Sequence, residues 1–371
     1  MRFPGFEGEW ETKKLGEIAT FSKGKGISKS DIAENGLTEC IRYGELYTYY
    51  GEVINDIKSK TNVDTSNLVL SEVNDVIIPA SGETTIDIAT ASCVLKSGIA
   101  LGGDLNIIKT ENNGVFLSYY LNNKKKMEIA NLAQGISVVH LYSSQLATLT
   151  LSFPKLEEQN RISTFLALFD ERIQTQNKII KQLETLIKGL YQKIFELNRF
   201  QFSILPLKSL CTIKKGEQIN ASKLSETGIY YVMNGGILPS GYHSEYNSDA
   251  EIISISEGGN SCGYVQYNHT KFWSGGHCYT LNNIDKIIKN KYLYYYLKAN
   301  ENKIMALRVG SGLPNIQKST LEKFEVKITN LYEQEKVVLA LGSLSTKIAV
   351  ESKLLEQYEI QKKHLLQNLF I

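Results

Sequence analysis

The chain has 371 residues, 42% hydrophobic and 22% charged, with a formal net charge of +2. That is ordinary globular composition, long enough for two cores, with no uncharged apolar run of about 18 residues to span a membrane and no secretory apolar segment at its start. The 5 cysteines include no C-x-x-C pair and argue for reduced thiols in a cytoplasmic setting rather than disulfides or a zinc site; the near-neutral balance argues against tight DNA binding by phosphate neutralisation alone, so any DNA contact is expected to be shared with partner chains.

In chain order, a short apolar strand ends in Lys23-Gly24-Lys25-Gly26, a glycine turn that lets lysines approach phosphates. Arg42-Tyr43-Gly44 follows. The apolar run Val76-Ile77-Ile78 then opens into Ser81-Gly82-Glu83-Thr84-Thr85, the strand-then-polar-loop arrangement on which base-edge donors and acceptors are often mounted. An amphipathic helix over Phe116 to Leu121 carries Tyr119-Tyr120, expected to pack on a sheet, and Lys124-Lys125-Lys126 extends it as a solvated face. From Ile162, steps of four and three residues select Leu166, Phe169, Ile173, Gln176, Ile180, Leu183, Ile187, Leu190 and Ile194, a coiled-coil seam with one polar break.

The plan then repeats. An offset of 192 carries Leu15, Ile18, Gly24 and Ile27 onto Leu207, Leu210, Gly216 and Ile219, and an offset of 175 carries Glu158-Gln159 onto Glu333-Gln334, Gly135 onto Gly310 and Leu146 onto Leu321. Lys214-Lys215-Gly216, Met233-Asn234-Gly235 and Glu257-Gly258-Gly259-Asn260-Ser261 match the three loops of the first half, and Tyr295-Tyr296 matches Tyr119-Tyr120. A second seam runs through Val337, Leu341, Leu344, Ile348, Glu351, Leu355, Tyr358, Lys362, Leu365 and Leu369. Each helix is expected to be on the order of 60 Å long.

Connectivity sets direction. The first helix must deliver the chain to the second globular unit and the second helix ends the chain, so seams that bury each other run antiparallel. The expected fold class is α+β: two pseudo-symmetric mixed α/β units, residues 1–153 and 199–329, separated by two long antiparallel helices, residues 154–198 and 330–371, forming a coiled coil. Gln176 and Glu351 share one repeat position near mid-helix and are expected to meet and fix the pairing register. Phe165, Ile179, Leu186, Ala340 and Leu354 widen the apolar faces beyond a two-stranded seam, leaving surface for the globular units and for partner helices.

Arg2-Phe3-Pro4-Gly5-Phe6 with Trp10 and Leu15-Gly16-Glu17, the run Phe153-Pro154-x-Leu156-Glu157-Glu158-Gln159-x-Arg161-Ile162 before a long helix, and the duplication together resemble a type I restriction-modification specificity subunit, over essentially the whole chain. The resemblance implies two target recognition domains, each reading half of a split sequence in double-stranded DNA. It also implies two methyltransferase subunits and two restriction/translocase subunits as partners, with S-adenosylmethionine, ATP and Mg on those subunits and no cofactor on this chain. One departure is Thr329-Asn330-Leu331-Tyr332 where the first half has Pro154-Lys155-Leu156-Glu157, which blurs the start of the second helix.

Catalytic signatures are absent from the sequence. There is no N/D-P-P-Y/F base-holding loop, no phosphate-binding G-x-x-x-x-G-K-[ST], and no metal spacing among the 5 histidines. Candidate DNA contacts are therefore Lys23, Lys25, Arg42, Tyr43, Ser81, Thr84 and Thr85 in the first half and Lys214, Lys215, Asn234, Glu257, Asn260 and Tyr264 in the second, each weighed against a plain surface turn. Tyr47, Tyr49 and Tyr50 are further loop tyrosines suited to sugar or base contact. Arg suits guanine and Asn suits adenine. Two competing functions remain: a fragment of a fused restriction-modification enzyme with its own catalytic domain, and a coiled-coil scaffold whose domains bind protein.

Overall fold

The computed structural model describes residues 2–195, 201–310 and 312–370, and the chain divides into two compact units, residues 1–176 with 354–371 and residues 177–353. Of the expected element boundaries, residues 1, 196–199 and 371 lie outside the described residues.

In unit 1 the strands β1 (Ala19–Lys23), β2 (Asp75–Pro79) and β3 (Leu105–Thr110) form the middle of a sheet in the order β1-β3-β2, continued by Ser92–Val94 and Val53–Ile54. These three pair antiparallel, with Lys23 opposite Asn106 and Pro79 opposite Leu105. Unit 2 repeats the arrangement with β4 (Thr212–Lys215), β5 (Ile252–Ser256) and β6 (Cys278–Asn282) in the order β4-β6-β5, flanked by Val265–Asn268. Strand β2 is buried along its whole length, and β5 nearly so, which is why their apolar runs are continuous rather than alternating.

One helix covers each sheet: α1 (Gly114–Asn123) in unit 1 and α3 (Asn290–Ala299) in unit 2. Tyr119, Tyr120, Tyr295 and Tyr296 are buried in the two cores, so the matched tyrosine pairs pack the helix on the sheet as expected. The Tyr292 and Tyr296 hydroxyls donate to the carbonyls of Lys327 and Glu325, and the Tyr120 hydroxyl accepts from the Ser152 amide. Each unit's first strand pairs antiparallel with the strand that precedes a long helix, Glu11–Lys14 with Thr150–Phe153 and Ser203–Pro206 with Glu325–Ile328.

The long helices are α2 (Leu156–Phe195) and α4 (Leu331–Leu369). They start at equivalent repeat positions. Where the second half lacks proline, Asn330 Oδ1 accepts the Glu333 amide at 2.9 Å, an N-cap that sets the start of α4. In unit 1 the start of α2 (Ile162, Phe165, Leu166) shares a core with the end of α4 (Leu365, Leu366, Leu369), and in unit 2 the end of α2 (Ile187, Leu190, Ile194) shares one with the start of α4 (Val337, Leu341, Leu344). Such pairing is antiparallel. Every residue of the two expected seams is buried or half-buried, whereas Leu186 beside the seam is 50% exposed.

The repeated glutamine has a structural reason. Gln159 Oε1 accepts the Asn113 amide at 3.0 Å while its Nε2 donates to Pro154 and Asn112; Gln334 Oε1 accepts the Lys289 amide at 2.8 Å while its Nε2 donates to Thr329 and Ile287. Each side chain thus ties the first turns of a long helix to the chain just before the covering helix. Its neighbour Glu158, fully buried, pairs with Arg2 at 2.9 Å, and Phe3 packs edge-on against Phe165 at 5.8 Å. The N-terminal Arg-Phe segment and the Glu-Glu-Gln run are therefore one contact. A second ionic cluster sits within the unit 1 helix pair: Lys362 lies 2.5 Å from Asp170 and 3.4 Å from Glu52, and the Tyr119 hydroxyl donates to Asp170.

Candidate nucleic-acid interface

The three matched loops of each half converge at one end of the sheet, and the reason is a pair of glycines. A Cβ built on Gly24 would strike the carbonyls of Gly102 and Leu101, and one on Gly216 would strike those of Gly275 and Ser274. Gly102 in turn packs on Arg42 and donates its amide to Ile41, while Gly275 packs on Asn234 and donates its amide to Met233. The lysine turn and the Arg42 or Asn234 loop thus meet at the same point in both units. The glycines of the lysine turns are required by this close approach of backbone.

The third loop joins them. In unit 2 the Ser256 hydroxyl donates to the Gly235 carbonyl at 2.6 Å, tying the Asn234 loop to the Glu257 loop. Glu257 is buried, and its Oε1 accepts from Lys215 Nζ at 2.6 Å and from the Tyr279 hydroxyl at 3.0 Å, while its Oε2 has no hydrogen bond. Burial, then the neighbouring Glu257, pushes the Tyr279 hydroxyl pKa well up. Lys214 lies 3.7 Å from Glu217 with both side chains in solvent. Asn234 is half-buried, accepts the His277 amide at 3.2 Å, and forms part of the wall of an open cleft of about 1110 Å³ also lined by Gln218, Asn220, His243 and Trp273. Asn260 is exposed at the loop tip beside Gly259, whose φ of +78° makes the turn. Tyr264 is half-buried, with Lys298 Nζ over its ring at 3.9 Å.

In unit 1, Lys23 is exposed with its ammonium 5.9 Å from the Tyr142 ring, and Lys25 is exposed in the turn beyond. Arg42 is held by Glu45 at 3.1 Å, and Glu45 also accepts from Ser59, so the guanidinium is fixed in orientation with Tyr43 exposed beside it. Ser81 is buried, and its backbone pairs with His140. Thr84 caps the short helix Thr85–Ile88, accepting the Asp87 amide at 3.1 Å, and Thr85 is exposed at its start. Tyr49 is exposed and stacks against Lys58, whereas burial pushes the Tyr50 hydroxyl up to about 12.

Sequence reasoning missed the hairpins Gln134–His140 and Val309–Asn315, which close over the third loop of each unit. The aligned Gly135 and Gly310, both at positive φ, were the available signal. The cleft residues Trp273 and His243 were also missed, because nothing in their local sequence marks them. Gln176 is buried in unit 1 and Glu351 half-buried in unit 2. Among the described residues there is no cluster of metal-ligating side chains, and no helix is long and apolar enough to cross a membrane.

Comparison with known proteins gives one consistent picture. Residues 7–185 and 201–359 each match the family described as the type I restriction modification DNA specificity domain. A putative type I specificity subunit of Mycoplasma genitalium is 32% identical over 170 residues, covering 43% of this chain and 44% of that protein. A counterpart from Mycoplasma pneumoniae is 34% identical over 161 residues, covering 41% and 43%, so this chain aligns with less than half the length of either relative. The MjaVIII type I restriction enzyme specificity subunit of Methanocaldococcus jannaschii is 22% identical across 96% of this chain and 91% of that one. In fold, the crystal structure of the type I restriction-modification S subunit from M. genitalium superposes over 100% of this chain and 99% of that chain, with a TM-score of 0.78 at 19% identity.

Proposed function

This chain belongs to the type I restriction modification DNA specificity family, and from that premise we propose that it is the non-catalytic sequence-specificity subunit of a type I restriction-modification complex, reading a bipartite target in double-stranded DNA. Two copies of one recognition unit, each with three polar loops gathered at one sheet end around Gly102 or Gly275, carry this reading. Two units of one design suit two half-sites. Lys23 and Lys25, exposed in the lysine turn of the first unit, supply phosphate contacts, while Arg42 and Asn234 supply the donor and acceptor geometry of base edges.

Chemistry belongs to partners in this scheme. Two methyltransferase subunits carry S-adenosylmethionine, and two restriction/translocase subunits carry ATP and Mg; the wide apolar faces of α2 and α4 offer methyltransferase helices a surface. Residues 1–153 and 199–329 are the two target recognition domains, joined by the helical spacers at 154–198 and 330–371.

The test is a domain exchange. The chain is co-expressed with a methyltransferase subunit of its system, and the methylated motif is read by methylation-sensitive sequencing. Replacing residues 1–153 by those of a relative is expected to change one half of the motif only; a change in both halves overturns the two-reader scheme. Purified alone with labelled methyl donor and DNA, the chain is expected to transfer nothing, and transfer by the isolated chain would establish the fused-enzyme alternative.

A further inference from the structure

The hairpin Gln134–His140 has a rigid root and a bare tip. Its ends exchange backbone hydrogen bonds, Gln134 amide to His140 carbonyl at 2.9 Å and His140 amide to Gln134 carbonyl at 2.7 Å. Val139–His140 pairs antiparallel with Ser81–Gly82, buried Asn106 donates to the Leu141 carbonyl at 2.9 Å, and Val139 is buried in the core. The turn begins at Gly135, whose φ of +132° disfavours any side chain.

What this root holds up is apolar. Ile136 is fully exposed at a relative value of 102%, and Val138 follows at 50%. Single exposed apolar residues are common, so the weight lies in recurrence. Val309 and Asn315 exchange the same pair of backbone bonds, Gly310 sits at φ +98°, Asn315 bridges to Gly258 on the third loop, and Leu313 is exposed at 86%. A different sequence thus forms a matching closure with an exposed apolar side chain at one shared repeat position, Leu313 standing where Val138 stands in the first hairpin. In unit 1 the flank of the hairpin is polar and aromatic: the His140 ring stacks on Tyr142 at 6.5 Å, and Lys23 Nζ lies over Tyr142.

We propose that the 134–140 hairpin enters a groove of the DNA half-site, with Ile136 as an apolar wedge against a base step and Lys23, His140 and Tyr142 against the adjoining sugar-phosphate. The inference rests on the DNA-reading function proposed above. A duplex fits this surface better than a protein helix does. A single protruding side chain beside a lysine and stacked rings matches a base step flanked by phosphates, whereas a protein interface is built around a broad buried core.

The full chain, co-expressed with a methyltransferase subunit of its system, is used to select binders from a randomised duplex pool, and 2-aminopurine is then placed at successive steps of the selected half-sites. Wild type is expected to raise the fluorescence of one step several-fold. Ile136→Leu keeps that signal, and Ile136→Ala loses it and binds about tenfold more weakly, with the thermal melt unchanged because the side chain is in solvent. Ile136→Ala and Ile136→Asp chains that bind the duplex and brighten it as wild type does overturn the wedge. So do variants that bind DNA normally but no longer hold the methyltransferase subunit, an outcome that would assign the tip to protein. Failure of wild type to select any duplex would instead overturn the DNA-reading function, and the wedge with it.

Discussion

Lys23 and Lys215 occupy one repeat position at the ends of β1 and β4, yet their surroundings differ: Lys215 is 2.6 Å from the Glu257 carboxylate, while Lys23 lies over the Tyr142 ring with no ion pair among the described residues. A phosphate contact needs an uncompensated cation. Lys23→Ala is therefore expected to lower the slope of log affinity against log salt by about one, and Lys215→Ala by clearly less; equal slopes in a salt titration would show that Glu257 lets its lysine go on binding. Lys362 is a different case. Burial works against its charge, but Glu52 and Asp170 outweigh it and raise its pKa. Stability from this raised pKa is fully present below the unfolded lysine value of about 10.4 and is lost as pH rises through the folded value. Lys362→Met leaves two carboxylates facing each other without a cation and is expected to cost about 3 kcal/mol at pH 7, with the gap to wild type closing in urea melts as the pH is raised through the folded value of the lysine. The thiols give a simpler check. Cys40, Cys93, Cys211 and Cys278 are buried and pushed up to about 11 or 12 by burial, so a thiol reagent at pH 8 is expected to label them only after unfolding.

Elements were legible in the sequence wherever a period was long enough to count. The seams of α2 and α4 repeat over 40 and 39 residues, and their burial follows the pattern. The start of α4 was obscured by the missing proline, although the Asn330-x-x-Glu333 spacing carries a helix-start signal of its own, and the Asn330 cap does the work of the proline. Lys362 reads as an apolar seam position, since the carboxylates that hold it come from Asp170 and Glu52, far away in sequence. At the candidate interface the loop positions were legible from the repeat, but the assignment of side chains within them was not. Ser81 looked like a surface donor and is buried under His140, and Thr84 is engaged in capping. Burial also ranks apolar positions along the two long helices. Leu341 is fully buried in the unit 2 core, so Leu341→Ala is expected to cost about 2–5 kcal/mol, while Leu186→Ala, at a half-exposed site, changes stability by under about 0.5 kcal/mol. Chemical denaturation of the two variants checks this, and equal losses would mean that Leu186 is covered in the folded chain.

For the molecule as a whole, two half-sites demand a set spacing, and α2 and α4, of 40 and 39 residues, are the longest helices among the described residues. We propose that Gln176 and Glu351, at one repeat position near the middle of α2 and α4, set the pairing register. A slip of one heptad would leave an amide and a carboxylate facing apolar residues, at roughly 1–3 kcal/mol for each unsatisfied group. Lost register alters reach. The half-sites are then expected about one DNA turn apart, and a four-residue insertion after Gln176, which adds roughly 6 Å of helix, is expected to move the unread spacer of the methylated motif by one or two base pairs while leaving both half-site sequences intact. Replacing Gln176 and Glu351 together by leucine is expected to raise stability, because a buried amide and a half-buried carboxylate are removed, and to loosen the spacer preference. Methylome sequencing of both variants reads the outcome directly. An unchanged spacer after the insertion would show that the distance between half-sites is set by the bound methyltransferase subunits and not by these helices.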